Sequence, residues 1–581
     1  MEKQVYEFIA VQTGEKIEEW RECSNCRQDF AITDKDLEFY DKISPMFNGT
    51  KYEIPAPTLC PDCRAQKKYA LLNLTTLYKR KCDFTNKTIV SIYSPDSDYK
   101  VYDQEIWRSD KRDPIDYGRD FDFTRPFFEQ FDNLNSSVPK LSLINMSSEN
   151  SEYTALWWWN KDCYMIVWNH SENCYYWIYT VKSVNTVDYF FSAENENCYE
   201  VVYCNKCYLT FFSNNSESCS NSYFLYNCKS CNNCFWCVNL VNKDYHIFNK
   251  QVSKDEFNNF VKENINWSYS NIEKLKKQFD EFKKDFPLKN LLMTNVFKSF
   301  WNNVKNLKNT NYCFDSDGIH WSLEDSKFID LSVSIQSNYD LVDATNMSFS
   351  YDSLSIGDGI QVSFSFLIIN CNNIYYSQNC HNSSYLFGCV WLRDKKYCIL
   401  NKQYTKEEFN NLVPKIIEHM KKTWERWEFF PIKISPFGYN ETVVNEHFPL
   451  SRETALSKWY KRQDKEYSIN VPEGIELIKW QDLPDNIHNV DDTILKKAVV
   501  CEVSWKPFRI VKPEFDFYRK YNLPLPHKHP DIRYIERLKN RAPRQLHLRT
   551  CDNCSKQVIS VYPQDSEFKV YCEECYNKEI Y

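Results

Sequence analysis

The sequence predicts a mainly β fold with some α: a parallel β-solenoid centre in two blocks with helical caps, flanked by duplicated zinc-ribbon modules. Three observations lead to this prediction. Cysteine pairs with C-x2-C spacing lie near both ends of the chain, inside segments that resemble each other. Short units of a polar turn followed by Cys-Tyr or Ser-Tyr recur in the middle. A helix-start signal follows each of the two runs of units.

The two ends of the chain are duplicates at an offset of 469 residues. Residues 82–107 match residues 551–576 at 11 of 26 positions. With a small change of offset, residues 23–40 also align with residues 501–518. Each end is therefore predicted to be one module with two potential four-ligand sites.

Each module keeps a different one of its two sites intact. Four thiolates in a tetrahedron bind Zn²⁺, and each C-x2-C knuckle supplies two of them from one tight turn. No histidine or carboxylate leaves an open coordination position, so the sequence predicts two structural zinc ions rather than a catalytic one. The predicted ligands are Cys23, Cys26, Cys60 and Cys63 in the N-terminal module, and Cys551, Cys554, Cys572 and Cys575 in the C-terminal module.

The other site of each module has lost most of its cysteines. Its positions are held by Cys82, Thr85, Asp103 and Ile106 in the N-terminal module, and by Cys501, Ser504, His529 and Ile532 in the C-terminal module. Whether these half-sites bind anything is left open by the sequence.

A repeated unit fills the middle of the chain. Between residues 150 and 239, units such as ENCYYWIY, ENCYEVVY and NKCYLTFF recur about every 9 to 12 residues. Short strands separated by polar turns at this spacing indicate a solenoid, with about 21–24 residues per coil if two units make one turn. A second, more degenerate series runs from Asn311 to Tyr397.

Both series end in the same way, because residues 235–261 align with residues 387–413 at an offset of 152. In each copy Asn-Lys-Gln leads into a helix that opens with Ser253 or Thr405 and has a glutamate three residues later, which is a capping box. We expect these helices to cover open solenoid ends. The predicted domains are residues 1–135 (N-terminal zinc-ribbon module), 136–250 (first solenoid block), 251–308 (helical linker or cap), 309–402 (second solenoid block), 403–428 (helix), 429–500 (connecting region) and 501–581 (C-terminal zinc-ribbon module).

Composition favours a cytoplasmic protein. The net charge of −7 over 581 residues is too small for a chain that coats nucleic acid along its whole length. No run of about 18 apolar residues predicts a membrane span, and the first residues lack a signal-peptide pattern. In the cytoplasm the 25 cysteines are expected to be reduced or metal-bound.

The basic segments of the two modules are the predicted contact surface. Residues 501–550 hold twelve Lys or Arg and five Asp or Glu, and residues 64–81 hold six basic residues and no acid. Basic helices beside zinc ribbons suit phosphate contact, so the leading partner is RNA or a ribonucleoprotein, although such a stretch can also be a plain solvated face. The candidate contact residues are Arg533, Arg537, Lys539, Arg541, Arg544, Arg549, Lys67 and Lys68.

Two other classes of function stay open. The solenoid wall could bind a protein partner, with the zinc modules as end caps. A carbohydrate-active β-helix enzyme is the third class, but no pair of carboxylates stands out for that chemistry. The sequence has no P-loop, G-x-G-x-x-G or G-x-S-x-G motif, and no catalytic residue is predicted.

Four cysteines of the first block have the spacing of an iron–sulfur ligand run, namely Cys228, Cys231, Cys234 and Cys237. The second block keeps only Cys380 and Cys389 at the equivalent positions. Cysteine also recurs elsewhere in the repeats as a small apolar filler. We therefore expect stacked core cysteines rather than metal ligands.

Glycine is scarce and tryptophan abundant, with 9 Gly and 17 Trp in the chain. At the aligned block ends Trp236 stands opposite Gly388, and Trp505 follows a knuckle at a position where a positive φ favours glycine. A UGA codon translated here as Trp, but as Gly in the source organism, would explain both observations. Ordinary divergence is the alternative.

Several stretches carry a resemblance to a known family: YGRDFDFTRPFFEQF (117–131), LFGCVWLRDKKYCILNKQY (386–404), SPFGYNE (435–441), LPLPHKHPDIRY (523–534) and VYCEECY (570–576). Through them the chain resembles the large zinc-ribbon proteins of candidate-phyla-radiation bacteria. The resemblance implies glycine where this sequence has Trp391, Trp427 and Trp459, and those lineages include bacteria that read UGA as glycine. It implies no activity, because none is established for the family.

Overall fold

The computed structural model describes residues 1–145, 147–155, 159–264, 267–297, 302–310, 312–313, 323–324, 326–328, 330–332, 335–344, 347–465, 471–472 and 474–581. These residues form a mixed α/β fold, with 13 α-helices and two large sheets of mainly parallel strands. Asn311, where the second repeat series was predicted to begin, lies outside the described residues. None of the described helices is long and apolar enough to cross a bilayer.

The helices lie mostly in the two end modules and behind the two sheets. They are Lys3–Thr13 (α1), Asp34–Ile43 (α2), Pro61–Tyr69 (α3), Gln104–Arg108 (α4), Phe127–Ser137 (α5), Lys254–Asn264 (α6), Tyr269–Lys283 (α7), Lys406–Lys422 (α8), Val444–His447 (α9), Arg452–Ser457 (α10), Lys512–Lys520 (α11), Pro530–Lys539 (α12) and Glu573–Ile580 (α13).

The strands of the first half fall into small hairpins followed by one long sheet. They are Ile17–Glu22 (β1), Asp29–Thr33 (β2), Met46–Phe47 (β3), Thr50–Lys51 (β4), Tyr78–Lys81 (β5), Thr88–Ser91 (β6), Val101–Tyr102 (β7), Lys140–Leu141 (β8), Tyr164–Asn169 (β9), Glu172–Val181 (β10), Val184–Ala193 (β11), Tyr199–Val202 (β12), Tyr208–Asn214 (β13), Ser220–Tyr226 (β14), Asn232–Val238 (β15), Asp244–Ile247 (β16) and Lys250–Gln251 (β17).

The second half contains the other large sheet and the hairpins of the C-terminal module. Its strands are Leu288–Lys289 (β18), Met293–Phe297 (β19), Val304–Lys308 (β20), Leu323–Glu324 (β21), Asp330–Ser332 (β22), Ile335–Gln336 (β23), Tyr339–Ala344 (β24), Met347–Ser348 (β25), Tyr351–Ile356 (β26), Gly359–Ser363 (β27), Phe366–Ile368 (β28), Cys371–Tyr375 (β29), Ser384–Phe387 (β30), Lys396–Ile399 (β31), Lys402–Gln403 (β32), Glu476–Lys479 (β33), Lys497–Val500 (β34), Pro507–Phe508 (β35), His547–Thr550 (β36), Gln557–Ser560 (β37) and Val570–Tyr571 (β38).

Each strand of the first large sheet pairs in parallel with the next strand along the chain, from β9 to β16. The partners from β10 to β16 are 12 residues apart, so that Val187, Tyr199 and Phe211 occupy one column. The second large sheet shows the same spacing, for example between Gly359 and Cys371. The predicted coil of 21–24 residues is therefore wrong: one repeat unit, not two, separates paired strands.

A left-handed residue at every third position explains this short repeat. From Lys182 to Phe248 every third residue has φ between 46° and 60°. Asparagine tolerates this conformation better than most residues, and it is frequent at these positions. From Ser183 to Cys237 the residue after each left-handed one is buried and is mostly Ser, Thr or Cys, and the cysteines among these residues form one buried cluster.

The ends of both sheets match the sequence prediction. In each, a short antiparallel strand (β17 or β32) leads into a helix. The predicted capping boxes are confirmed: Glu256 N–H donates to the Ser253 hydroxyl at 3.2 Å, and Thr405 and Glu408 make the same reciprocal pair. The first helical region comprises α6 and α7, which pack on the outer aromatic column of the first sheet.

The two end modules dock crosswise onto the two large sheets. Helix α3 of the N-terminal module packs on the second sheet, where Arg64 pairs with Asp340 at 3.0 Å. Helix α12 of the C-terminal module packs on the first sheet, where Arg537 pairs with Asp188 at 2.7 Å. Strand β7 of the N-terminal module pairs with β8, which leads into the first sheet. Strand β38 of the C-terminal module pairs with β18, which leads into the second sheet.

Candidate metal centres and the basic helix

All four predicted sites have the same backbone conformation and hydrogen bonds, whether or not they keep their cysteines. Each begins between two antiparallel strands, and the N–H of its first residue donates to the carbonyl five residues later at 2.8–3.0 Å. The carbonyl of that first residue accepts from the N–H four residues later at 2.9–3.1 Å. The four first residues are Cys23, Cys82, Cys501 and Cys551.

The knuckle and the helix that completes each site are also repeated. The fourth residue after the first cysteine has φ between 59° and 63° in every copy; these residues are Arg27, Asn86, Trp505 and Ser555. The third ligand position is the N-cap of a helix in every copy; these residues are Cys60, Asp103, His529 and Cys572. The duplication read from the sequence is thus present in the backbone.

In the N-terminal module Cys23, Cys26, Cys60 and Cys63 converge, with all four sulfur atoms within 4.8 Å of one another. Cys26 and Cys60 Sγ lie 3.6 Å apart. The backbone N–H of Cys60 donates to Cys23 Sγ at 3.3 Å, and Asn25 Nδ2 donates to Cys63 Sγ at 3.2 Å. The thiol of Cys60, helped by the amide of Asn25, lowers the pKa of Cys63 to about 5 through hydrogen bonds to its sulfur, which favours the thiolate.

The C-terminal module holds the second group, Cys551, Cys554, Cys572 and Cys575, also within 4.8 Å of one another. Cys554 and Cys572 Sγ lie 3.7 Å apart, and the Cys572 N–H donates to Cys551 Sγ at 3.2 Å. Burial alone would raise the pKa of Cys551, but N–H groups led by that of Cys572 outweigh it and lower the pKa to about 6. Both groups therefore could hold a metal ion.

The donor set fits a tetrahedral metal. Four thiolates at about 2.3 Å from a central ion lie about 3.8 Å from one another, close to the sulfur separations of 3.6 and 3.7 Å. The N–H groups that point at the sulfur atoms spread the negative charge that four thiolates would bring to the site. In each group three cysteines are buried and one, Cys26 or Cys554, is exposed.

In the half-site at Cys82, hydrogen bonds link the positions that hold cysteines in the intact sites. Thr85 Oγ1 donates to Asp103 Oδ2 at 2.9 Å, and Asp103 Oδ1 accepts from the Ile106 N–H at 2.9 Å. Cys82 Sγ accepts from the Asp103 N–H at 3.3 Å, as the first cysteine does in the intact sites. The Asp103 carboxylate, which accepts from a hydroxyl and an N–H, thus connects the two halves of the site.

In the half-site at Cys501, the remaining cysteine and histidine are likewise engaged in hydrogen bonds. Cys501 Sγ accepts from the N–H groups of Val503 and Ser504, both at 3.4 Å. His529 caps α12 by accepting the Asp531 N–H on Nδ1 at 3.2 Å. Neither half-site appears among the groups of described residues whose ligand atoms converge for a metal.

The cysteine run of the first block lies in the core, as predicted. Cys228 and Cys231 donate to the carbonyls of Cys237 and Leu240 at 3.3 Å, nine residues further along the chain. All four cysteines of the run are buried in a cluster of cysteines with a few aliphatic and aromatic residues. Within the described residues, the run forms no group that converges for a metal.

Four of the eight candidate RNA-contact residues are buried inside the protein: Arg533, Arg537, Arg549 and Lys68. Arg533 and Arg537 both pair with Asp188, and Lys68 pairs with Asp352 at 2.7 Å. Arg549 pairs with Asp552 at 2.8 Å within its own module. These four side chains hold the modules together and in place, so we leave them out of any RNA-contact surface.

The other four candidates lie nearer the surface, and three of them have a partner. Lys67 pairs with Glu428 at 3.2 Å, Arg541 donates to His447 Nδ1 at 3.0 Å, and Arg544 donates to the Tyr69 hydroxyl at 2.8 Å. Lys539 is exposed, and no carboxylate of the described residues pairs with it.

The acidic partners of the module helices were missed by the sequence reasoning, although a signal was available. Arg64 and Arg533 are equivalent at the module offset of 469, and Asp188 and Asp340 are equivalent at the block offset of 152. Each arginine stacks over the equivalent ring as well, Arg64 over Phe328 at 5.3 Å and Arg533 over Tyr176 at 4.6 Å. Buried charges occurring in matched pairs across two internal repeats indicate a contact.

Comparison with models of known protein families found no match, and comparison with curated proteins found no similar sequence.

Proposed function

We propose that the chain is a zinc-binding interaction protein that contacts RNA, free or in a ribonucleoprotein, through its C-terminal module. Zinc is proposed because four thiolates in a closed tetrahedral set suit Zn²⁺ and leave no position for a substrate. The two ions would fix the N-terminus of α3 and the start of α13, since Cys60 and Cys572 are the N-caps of those helices.

The two large sheets are proposed to be β-solenoid blocks on which the modules are held and presented. The support is the 12-residue spacing of most parallel partners and the left-handed residue at every third position. Such blocks grow by stacking one unit on the next and need a cap at their ends. The helices that follow β17 and β32 supply these caps.

The observation that carries the RNA proposal is the two-sided use of α12. On one side of the helix, Arg533 and Arg537 pair with Asp188 of the first sheet. Lys539, the last residue of the helix, is exposed on the wall of a large open cavity, and Arg541 just beyond the helix lines the same cavity. A helix anchored by one set of cations and exposing another can offer a fixed cationic surface to phosphates.

The proposal is tested by RNA binding to the full chain across a salt titration. Phosphate contact predicts that log affinity falls linearly with log salt, by about 0.7 for each phosphate contacted in a single strand. A flat salt response, or no binding at low salt, would contradict it. The outer solenoid walls would then remain as a surface for a protein partner.

A further inference from the structure

A cavity of about 1060 Å³ lies where four parts of the chain meet. Its wall is built from residues 74–78 of the N-terminal module, residues 165–167 of the first block, parts of residues 440–465, and parts of residues 506–541 of the C-terminal module. Small-molecule pockets typically measure about 300–1,000 Å³, so this cavity has room for a larger ligand.

The floor of the cavity is buried and its rim is open to solvent. Ile166 and Phe508 on the floor are almost fully buried. Lys539 and Asp531 on the rim are exposed, and Ile535 between them is 47% exposed. A ligand can therefore enter from solvent and contact the buried side chains of the floor.

The lining contains more cations than free carboxylates. Glu441 accepts from the Tyr78 hydroxyl and from the Gly438 N–H, so its oxygens are engaged by the protein. Burial raises the pKa of Glu446, which accepts from Tyr534, to about 7, and much of its charge is absent at neutral pH.

The remaining rim charges favour an anion. Asp464 is shared by two arginines, Arg452 at 3.0 Å and Arg462 at 3.0 Å, and the exposed Asp531 lies 3.4 Å from the His529 ring. On the cationic side, Lys506, Lys539 and Arg541 all line the cavity. Aromatic rings lie among them, including Tyr153, which is only partly buried.

We propose that this cavity binds a short segment of single-stranded RNA, an inference that rests on the proposed function. Lysines on the rim would neutralise phosphates, and tyrosine rings and asparagine amides of the wall would contact unstacked bases. A concave site enclosed by four chain segments suits a single strand, because a rigid A-form duplex presents a convex surface. The lining therefore selects single-stranded over double-stranded RNA.

The test compares charge reversal in the cavity with charge reversal elsewhere. Lys506→Glu with Lys539→Glu is the cavity variant, and Lys421→Glu with Lys422→Glu on the exposed end of α8 is the matched control. The probe is a fluorescein-labelled 12-nucleotide oligouridylate, with a 12-base-pair RNA duplex for comparison. Circular dichroism and zinc content check that each variant is folded.

We expect the cavity variant to lose roughly tenfold or more in affinity and to show a salt slope smaller by about 1.4, the loss of two single-strand phosphate contacts. The control should bind within about twofold of the unchanged chain, and the duplex should bind more weakly than the single strand. Equal affinity of the cavity variant and the unchanged chain would overturn the inference while leaving RNA binding intact. No binding by the unchanged chain would instead remove the proposed function.

A second measurement on the unchanged chain covers the case in which the cavity variant does not fold. Oligouridylate carrying 4-thiouridine is irradiated with the full chain, and the cross-linked peptides are identified by mass spectrometry. Cross-links to residues 74–78, to Tyr153 or to residues 530–541 are the expected result. Cross-links confined to other surfaces would place the RNA site elsewhere and refute the inference.

Discussion

Replacing exposed tryptophans by glycine at two helix ends should stabilise the protein. Trp424 follows α8 with φ 60° and is 92% exposed, and Trp459 follows α10 with φ 59° and is 87% exposed. In both cases the next residue donates its N–H to the carbonyl five residues back, at 2.9 and 3.0 Å. This is the Schellman arrangement, whose left-handed residue is usually glycine.

The same arrangement at the end of α1 uses glycine and supplies a control. Gly14 has φ 75°, and Glu15 N–H donates to the Ala10 carbonyl at 3.0 Å. The left-handed conformation costs an L-residue about 1–2 kcal/mol, and glycine gives back about 0.5–1 kcal/mol through the entropy of its unfolded state. Because both indoles are almost wholly exposed, little buried area is lost.

Trp424→Gly and Trp459→Gly should therefore each add about 0.5–1 kcal/mol to the free energy of unfolding. Gly14→Trp should remove about the same amount. Trp505→Gly should be nearly neutral, because it gives up an edge-to-face contact with Trp480 at 5.0 Å that is worth about 0.5–1.5 kcal/mol.

Equilibrium urea unfolding followed by far-UV circular dichroism measures these changes. Destabilisation by both Trp→Gly variants would refute the reasoning. The recoding hypothesis stays a prediction, and peptide mass spectrometry of the native protein tests it: glycine is expected at positions 236, 391, 427, 459 and 505. Three of these tryptophans, Trp236, Trp391 and Trp427, bury an indole N–H that has no hydrogen-bond partner among the described residues, and glycine would remove that buried group.

Three further predictions follow from the contacts. Asp188→Asn should cost about 3–5 kcal/mol in urea unfolding because it removes the buried carboxylate that two buried guanidiniums share, whereas Asp565→Asn on an exposed turn should change little; equal effects would contradict this. The pKa of Glu446 is raised from 4.5 to about 7, so between these pH values the folded state keeps a proton that the unfolded state loses. The free energy of unfolding should therefore fall as pH rises from about 4.5 to 7 and then level off. Glu446→Gln should flatten that fall, and an unchanged slope would refute the assignment. Metal removal by a chelator should speed amide hydrogen exchange in α3 and in the β18–β38 pair more than in α12. The reason is that α12 begins at a half-site that is not among the four-cysteine groups of the described residues. A uniform increase in exchange would contradict this.

The metal groups could be predicted from the sequence because ligand identity and knuckle spacing are local. Cys551 and Cys554 lie on one turn, and any fold that forms the turn brings both thiols to one place. The capping boxes at Ser253 and Thr405 were likewise readable, since a capping box spans only four residues.

The spacing of paired strands and the burial of the arginines of the basic helix could not be predicted in the same way. The units were visible, but the 12-residue spacing of paired strands depends on the left-handed backbone at every third position, which asparagine favours without requiring. Arg533 and Arg537 look like surface charges within their own helix. Only the distant Asp188, some 345 residues earlier, makes them internal, and such a pairing is a property of docking rather than of local sequence.

The metal content of the chain tests the central claim most directly, namely that two duplicated modules each retain one metal site. Native mass spectrometry of the purified chain should show two zinc ions per molecule. Cys63→Ser and Cys575→Ser should each leave one ion, and Cys82→Ser should leave both. No bound zinc, or three or four ions, would contradict the account.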